Sequence, residues 1–248
     1  MSSPASSSHA APVLFKVADL HAGYGRSKVL HGIALSVGSG ETVGLLGRNG
    51  AGRSTFLKAV MRLIDARGEV QMRGIELGRS RTHEVTRAGI GYVPEDKGIF
   101  PDLTVRENLS VGTPAKRSAK PQGPAWSEDE FFEMFPNLKN RAGVAAGLLS
   151  GGEQQMLTIC RTLMGSPSLL LIDEPTEGLS LSMVQQVAQL LSMAASRGVA
   201  ILLVEQKLTI ALELCQRVAV MGRGRIVFDG SVQAFRDTPS VREEWLEV

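Results

Sequence analysis

The stretch from residue 42 to residue 54, TVGLLGRNGAGRS, predicts the fold of the chain. Its first five residues are a short apolar run that indicates a buried strand, and the glycine-rich turn after it opens onto a helical pattern. Such a loop turns successive backbone N–H groups inward, where they hold phosphate oxygens at the positive end of a helix dipole. The alternative is a glycine-rich turn that only joins a strand to a helix. The phosphate-binding residues predicted here are Gly47, Arg48, Asn49, Gly50, Ala51, Gly52, Arg53, Ser54 and Thr55.

Residues 169–175, LLLIDEP, form the second motif. Four apolar residues indicate a central strand buried on both faces, and two carboxylates follow at its carboxyl end, where ligands bind in open α/β sheets. We expect Asp173 to hold Mg²⁺ together with the hydroxyl of Ser54, and Glu174 to position or deprotonate an attacking water. The alternative is a strand that ends in acidic residues at a solvated turn.

Composition and patterning limit the classes of protein that the chain can represent. Hydrophobic residues make up 43% of the 248 residues, enough to fill a sizeable core. Short apolar runs, the first at 13–17 and 30–37, alternate with helical patterns and indicate an α/β fold with a mostly parallel sheet. A net charge of +2 gives no broad field for nucleic acid, and the two cysteines form no CxxC pair. No apolar run reaches the ~20 residues that span a bilayer, so we expect no direct membrane span.

Residues 149–155, LSGGEQQ, complete the set of motifs. Ser150 and Glu153 have the spacing of a helix capping box, and Gly151 and Gly152 leave the helix start open to an anion. On residue types alone, an ordinary capped helix explains this stretch equally well.

Together, the three motifs resemble those of the ABC ATPase family, in which LSGGEQQ is the signature motif. The resemblance extends from about residue 14 to residue 248 and implies a P-loop NTPase core with an N-terminal antiparallel β portion and an inserted helical subdomain. It further implies one ABC ATPase domain over 13–248, with the core at about 13–95 and 165–248 and the helical subdomain at about 96–164. Residues 1–12, rich in Ser, Ala and Pro, are expected to be a disordered tail.

Three further positions match the pattern of the family. The resemblance implies that Tyr24 stacks on adenine, that Glu95 stands at the Q-loop and contributes to the metal site, and that Gln206 takes the catalytic switch position where many members have histidine. The family pairs two subunits head to tail, so Ser150, Gly151 and Gly152 would serve the ATP that the partner binds.

Glu95 stands where glutamine is the commoner residue of the family, and Gln206 where many members have histidine. These two departures resemble one branch of the family, the smaller of the two paralogous ATP-binding subunits of branched-chain amino-acid importers. The resemblance implies ATP and Mg²⁺ as cofactors, a second ABC ATPase subunit and membrane permease subunits as partners, and a peripheral position on the cytoplasmic face of the inner or plasma membrane. Two alternatives stay open: an importer for urea or short amides, and a regulatory ABC subunit that binds nucleotide without hydrolysing it.

One position departs from the P-loop pattern in a way that bears on activity. Arg53 stands where the pattern G-x-x-x-x-G-K-[ST] has lysine. Arginine keeps the charge, but its guanidinium is longer, planar and forked, so the exchange is not conservative at a tight phosphate site. We expect Arg53 to impair hydrolysis at this site by pulling the phosphates out of line. The alternative is that the loop relaxes and Arg53 does the work of the lysine.

Overall fold

The computed structural model describes residues 12–114 and 121–247. The predicted disordered tail, 1–12, therefore lies outside the described residues except for Pro12. The strands are β1 Val13–Tyr24, β2 Ser27–Gly38, β3 Thr42–Leu46, β4 Ala66–Met72, β5 Ile75–Glu76, β6 Ile90–Val93, β7 Leu169–Asp173, β8 Ala200–Val204, β9 Arg217–Gly222 and β10 Arg225–Ser231. The helices are α1 Arg53–Val60, α2 Thr82–Arg87, α3 Val105–Gly112, α4 Glu128–Met134, α5 Pro136–Asn140, α6 Gly151–Met164, α7 Leu181–Ser196, α8 Leu208–Leu214, α9 Val232–Arg236 and α10 Pro239–Trp245.

The central sheet has six strands in the order β10-β9-β3-β8-β7-β6. Strand β3 runs parallel to β8 and β9, β7 runs parallel to β6 and β8, and only β10 is antiparallel to its neighbour. Every residue of β3, β7 and β8 is buried, as their continuous apolar runs require of strands covered on both faces. The carboxyl ends of these three neighbouring strands therefore meet at one edge, and the loops that follow them share a site.

A second, antiparallel sheet has the order β2-β1-β4-β5. Its strands alternate between buried and exposed side chains, as expected when one face packs on a core and the other meets solvent. The predicted fold class, a mostly parallel P-loop NTPase core with an antiparallel β portion, is confirmed. Strands β1 and β2 are each 12 residues long, so the sequence ranges 13–17 and 30–37 were too short.

Helical structure dominates the described residues between β6 and β7. Helices α3, α4, α5 and α6 pack around a cluster that includes Phe131, fully buried and stacked on Trp126 at 5.4 Å between ring centroids. The division into a core and a helical subdomain near residues 95 and 164 remains a prediction. Among the residues described, no helix has the length and apolar character needed to cross a membrane.

The turn between β9 and β10 is hydrogen-bonded to the phosphate loop. The amide of Gly224 donates to the carbonyl oxygen of Ala51 at 3.1 Å, and its own carbonyl accepts from the amide of His31 at 2.9 Å. Gly224 has a φ of 72°, and a Cβ at this position would overlap the carbonyl oxygen of Val29. Only glycine therefore fits where the loop, β2 and the turn come together.

We expect Gly224→Ala to lower the free energy of unfolding by about 3 kcal/mol, because the cost of a left-handed backbone conformation and the cost of the steric overlap add. Gly74→Ala is the matched control, since Gly74 has a φ of 75° but open space around it. It should cost only about 1 kcal/mol. Urea unfolding of both variants measures the difference, and equal losses would contradict the close contact at Gly224.

Candidate functional site

The loop after β3 forms a cradle of backbone donors. Helix α1 begins at Arg53, directly after Gly52, whose φ of 107° turns the chain into the helix, and no side chain caps this helix start. Gly50 also has a positive φ, of 79°. A Cβ at Gly47 would lie 2.6 Å from the carbonyl oxygen of Met221, so the loop fits only with glycine there. The first amides of α1 are thus left facing outward, as a phosphate group requires.

A cavity of about 420 Å³ lies over this cradle. It brings together residues from the phosphate loop, from the loops after β6, β7 and β8, and from β2. Its lining includes nine of the predicted site residues and two, Val29 and Glu177, that were not predicted. The predicted residues in the lining are Asn49, Gly50, Gly52, Arg53, Ser54, Thr55, Glu95, Glu174 and Gln206.

Asp173 and Ser54 meet beside this cavity. The Ser54 hydroxyl donates to Oδ1 of Asp173 at 3.1 Å, while Oδ2 of the same carboxylate is buried with no hydrogen-bond partner. Burial raises the pKa of Asp173 to about 6, with the nearby charge of Glu95 adding to the rise and the Ser54 hydrogen bond opposing it. An unpartnered buried carboxylate oxygen next to a hydroxyl fits Mg²⁺, which is held by one or two carboxylates, waters and phosphate oxygens. The described residues contain no cluster of three or more His, Cys, Asp or Glu arranged for a metal.

Glu174 follows Asp173 and has both carboxylate oxygens engaged. Oε1 accepts from Nη2 of Arg53 at 2.7 Å, and Oε2 accepts from Nε2 of Gln206 at 2.7 Å. The backbone of Glu174 is left-handed, with a φ of 45°, a strained state that is typical of functional sites. Burial raises the pKa of Glu174 to about 7, and the Arg53 guanidinium opposes this rise.

The guanidinium of Arg53 does not stand free in the cradle. Besides Glu174, it donates from Nη1 to the backbone carbonyl of Glu205 at 2.9 Å and from Nη2 to Oδ1 of Asn49 at 3.3 Å. The side chains of Arg53 and Glu174 are only 4% and 8% exposed. The residue in the lysine position of the P-loop thus forms a buried ion pair with the carboxylate that was predicted to act on water.

Glu205 is a member of the site that the sequence did not single out. Its carboxylate is buried and accepts from the hydroxyl and the amide of Thr176 at 2.7 and 3.2 Å. This contact ties the loop after β7 to the loop after β8. Its position at the carboxyl end of an apolar strand was the signal that could have identified it.

The remaining predicted residues lie outside the lining of this cavity among the residues described. Tyr24 is 48% exposed at the end of β1, as a surface for a stacked base would be. Ser150 caps α6: its hydroxyl accepts from the amide of Glu153 at 3.3 Å, and its own amide donates to Oε2 of Glu153 at 2.8 Å, which confirms the capping box. Gly151 and Gly152 follow at the exposed start of this helix.

Known proteins similar to the chain include ATP-binding proteins of several transport systems. The family model described as ABC transporter matches residues 30–177. The high-affinity branched-chain amino acid transport ATP-binding protein BraG of Pseudomonas aeruginosa is 39% identical over 90% of this chain and 95% of its own length. The probable branched-chain amino acid transport ATP-binding protein LivF of Archaeoglobus fulgidus is 32% identical over 90% of this chain and 92% of its own. A solved ATP binding subunit of an ABC transporter has a TM-score of 0.77 at 28% identity and covers 92% of this chain and 94% of its own.

Proposed function

The chain belongs to the ABC transporter family of ATPases, and on this premise we propose that it is the ATP-binding subunit of an importer for branched-chain or related amino acids. The observation that carries the nucleotide role is the pairing of an uncapped, glycine-bordered helix start with the unpartnered Oδ2 of Asp173. These two features suit the two parts of Mg-ATP, because amides hold phosphate oxygens and the carboxylate holds the ion. Bound Mg²⁺ would neutralise charge on the phosphates.

The site is proposed to be completed by a second subunit. Ser150, Gly151 and Gly152 do not line the cavity over this chain's own phosphate loop, although they form an exposed helix start that is suited to an anion. A second ABC subunit, packed head to tail, would bring its own helix start to this cavity and receive Ser150 in return. ATP then closes the pair of subunits and its hydrolysis opens them, a two-state element biased by a ligand.

The permease is proposed to dock in a groove of about 390 Å³ that Leu63, Tyr92, Phe100 and Val111 help to line. Phe100 is 46% exposed, yet its backbone is fixed by the buried amide of Asn108, which accepts from its N–H and donates to its carbonyl, both at 3.0 Å. An exposed aromatic side chain on a hydrogen-bonded backbone, in a groove that apolar residues help to line, suits an anchor for a partner segment.

We expect Phe100→Asp to remove the permease from the purified complex, because a charge would replace the apolar anchor. Ile75→Asp is the matched control, since Ile75 is 64% exposed on β5 in the antiparallel sheet. Co-purification of tagged chain and permease from detergent-solubilised membranes measures the loss. Equal recovery of the permease with both variants would contradict docking at this groove.

The cargo and the activity are tested in the assembled transporter. Reconstituted vesicles holding the permease, both ATP-binding subunits and the binding protein should take up leucine, isoleucine or valine when ATP is supplied on the side of the ATP-binding subunits. Uptake of urea or acetamide alone would favour the importer of short amides. A complex that binds ATP without any hydrolysis would favour the regulatory subunit.

A further inference from the structure

The Arg53–Glu174 ion pair occupies both groups that this site would need for hydrolysis. The cation expected to face phosphate donates instead to Glu174, Glu205 and Asn49, all within this chain. The carboxylate expected to face water is held by Arg53 and Gln206 through its two oxygens. At 4% and 8% exposure, both charged side chains of the pair are largely shielded from solvent, so the charge of each depends on the other.

We propose that this ion pair is a latch, in which Arg53 is a positioning residue that holds Glu174 away from water, and that nucleotide phosphates bind fully only after the guanidinium has left Glu174. The inference rests on the proposed function, because the latch competes with a nucleotide bound in the glycine cradle.

Competition follows from the geometry of a single guanidinium. Nη2 of Arg53 is already shared between Oε1 of Glu174 and Oδ1 of Asn49, and Nη1 is committed to the carbonyl of Glu205. Within the described part of the chain, the Nε hydrogen and the second Nη1 hydrogen remain available to phosphate oxygens. Turning the guanidinium toward the cradle to engage them would draw Nη2 away from Glu174, so the pair and a full phosphate contact compete for the same group. The apparent dissociation constant then exceeds the intrinsic one by the inverse of the fraction of molecules whose latch is open.

The latch also predicts slow hydrolysis at this site, with phosphate binding weakened but retained. A general base must lie within hydrogen-bond reach of the water that it acts on. Each oxygen of Glu174 already accepts one hydrogen bond, so while both contacts persist the carboxylate is oriented by Arg53 and Gln206 and not by a water. Backbone amides of the cradle are unaffected by the pair, so phosphate affinity is reduced but retained.

The test is a double-mutant cycle on the isolated chain, with Glu174→Gln, Arg53→Gln and the two combined. Binding of a non-hydrolysable ATP analogue with Mg²⁺ is titrated by intrinsic or ligand fluorescence. Glu174→Gln should tighten binding about tenfold, because it releases a buried guanidinium that has lost its countercharge. In the Arg53→Gln background, Glu174→Gln should tighten binding no more than about twofold. That factor measures the repulsion between the Glu174 carboxylate and the phosphates alone.

Two further measurements, a third variant and thermal unfolding, test the latch independently. Glu174→Asp retains the charge but shortens the reach to Arg53, so it should tighten binding in the same direction by a smaller factor. Without nucleotide, each single change to Gln should lower the thermal midpoint, and the double variant should recover part of the loss, because it buries no unpaired charge.

Equal tightening by Glu174→Gln in both backgrounds would overturn the latch alone, since repulsion would then explain it. Thermal losses that simply add in the double variant would overturn it too. Failure of every variant, and of the unaltered chain, to bind the analogue would overturn the proposed function together with the latch.

Discussion

In the assembled transporter, Ser150→Ala should lower ATP turnover by roughly 100-fold, the loss typical when one donor to a developing charge is removed. In the proposed pairing, the partner is a different ABC subunit whose phosphate loop keeps the lysine. Ser150 serves the nucleotide in that loop, which carries most of the turnover. Arg53→Ala alters only this chain's own site and should leave most of the turnover intact. The two variants therefore separate the two composite sites. Phosphate release from reconstituted complexes, each with one substituted subunit, measures both.

Loss of the helix cap must be separated from loss of the phosphate contact. Ser127→Ala is the matched control, because Ser127 caps α4 in the same way as Ser150 caps α6: its hydroxyl accepts from the amide of Glu130 at 3.2 Å. Each change should cost about 1 kcal/mol of stability, but only Ser150→Ala should lower turnover. Intact turnover in Ser150→Ala with no turnover in Arg53→Ala would contradict the proposed asymmetry of the two sites.

The parts of the site that the sequence predicted are those set by local rules. A strand, glycine turn and helix in immediate succession placed the loop at 47–54, and the apolar runs of β7 and β8 predicted buried parallel strands. Ser150 and Glu153 lie three residues apart, so their capping box depended on no distant contact.

The parts that it missed depend on long-range contacts. Two of the acceptors of Arg53, Glu174 and the carbonyl of Glu205, lie 121 and 152 residues further along the chain, so these contacts exist only once the sheet has formed. The carboxylate of Glu205, in the loop after β8, accepts from Thr176 in the loop after β7, 29 residues earlier in the chain. Strand β1 exceeded its predicted length because register shifts interrupt the alternation of buried and exposed residues that a sequence pattern relies on.

Arg53→Lys should raise hydrolysis at this chain's own site about tenfold or more, because lysine keeps the positive charge for phosphate and lacks the fork that joins Glu174 to the carbonyl of Glu205. Release of Glu174 returns a carboxylate oxygen to water, and a positioned general base contributes roughly 10²- to 10⁴-fold to a rate. The measurement needs an assembled transporter in which the partner subunit's own catalytic carboxylate has been replaced, so that the residual turnover arises over this chain's loop.

The direction of the change in kcat discriminates between three roles for Arg53. A rise means that Arg53 restrains Glu174. An unchanged kcat means that arginine already does the work of lysine in a relaxed loop, and a fall means that the fork itself assists hydrolysis. Arg87→Lys, an exposed exchange of the same kind in the last turn of α2, controls for general effects of replacing arginine and should leave kcat unaltered. The unaltered chain and the Arg53→Lys variant carry the same charge at position 53. They differ only in the geometry of the donor group, and the ion pair with Glu174 depends on that geometry.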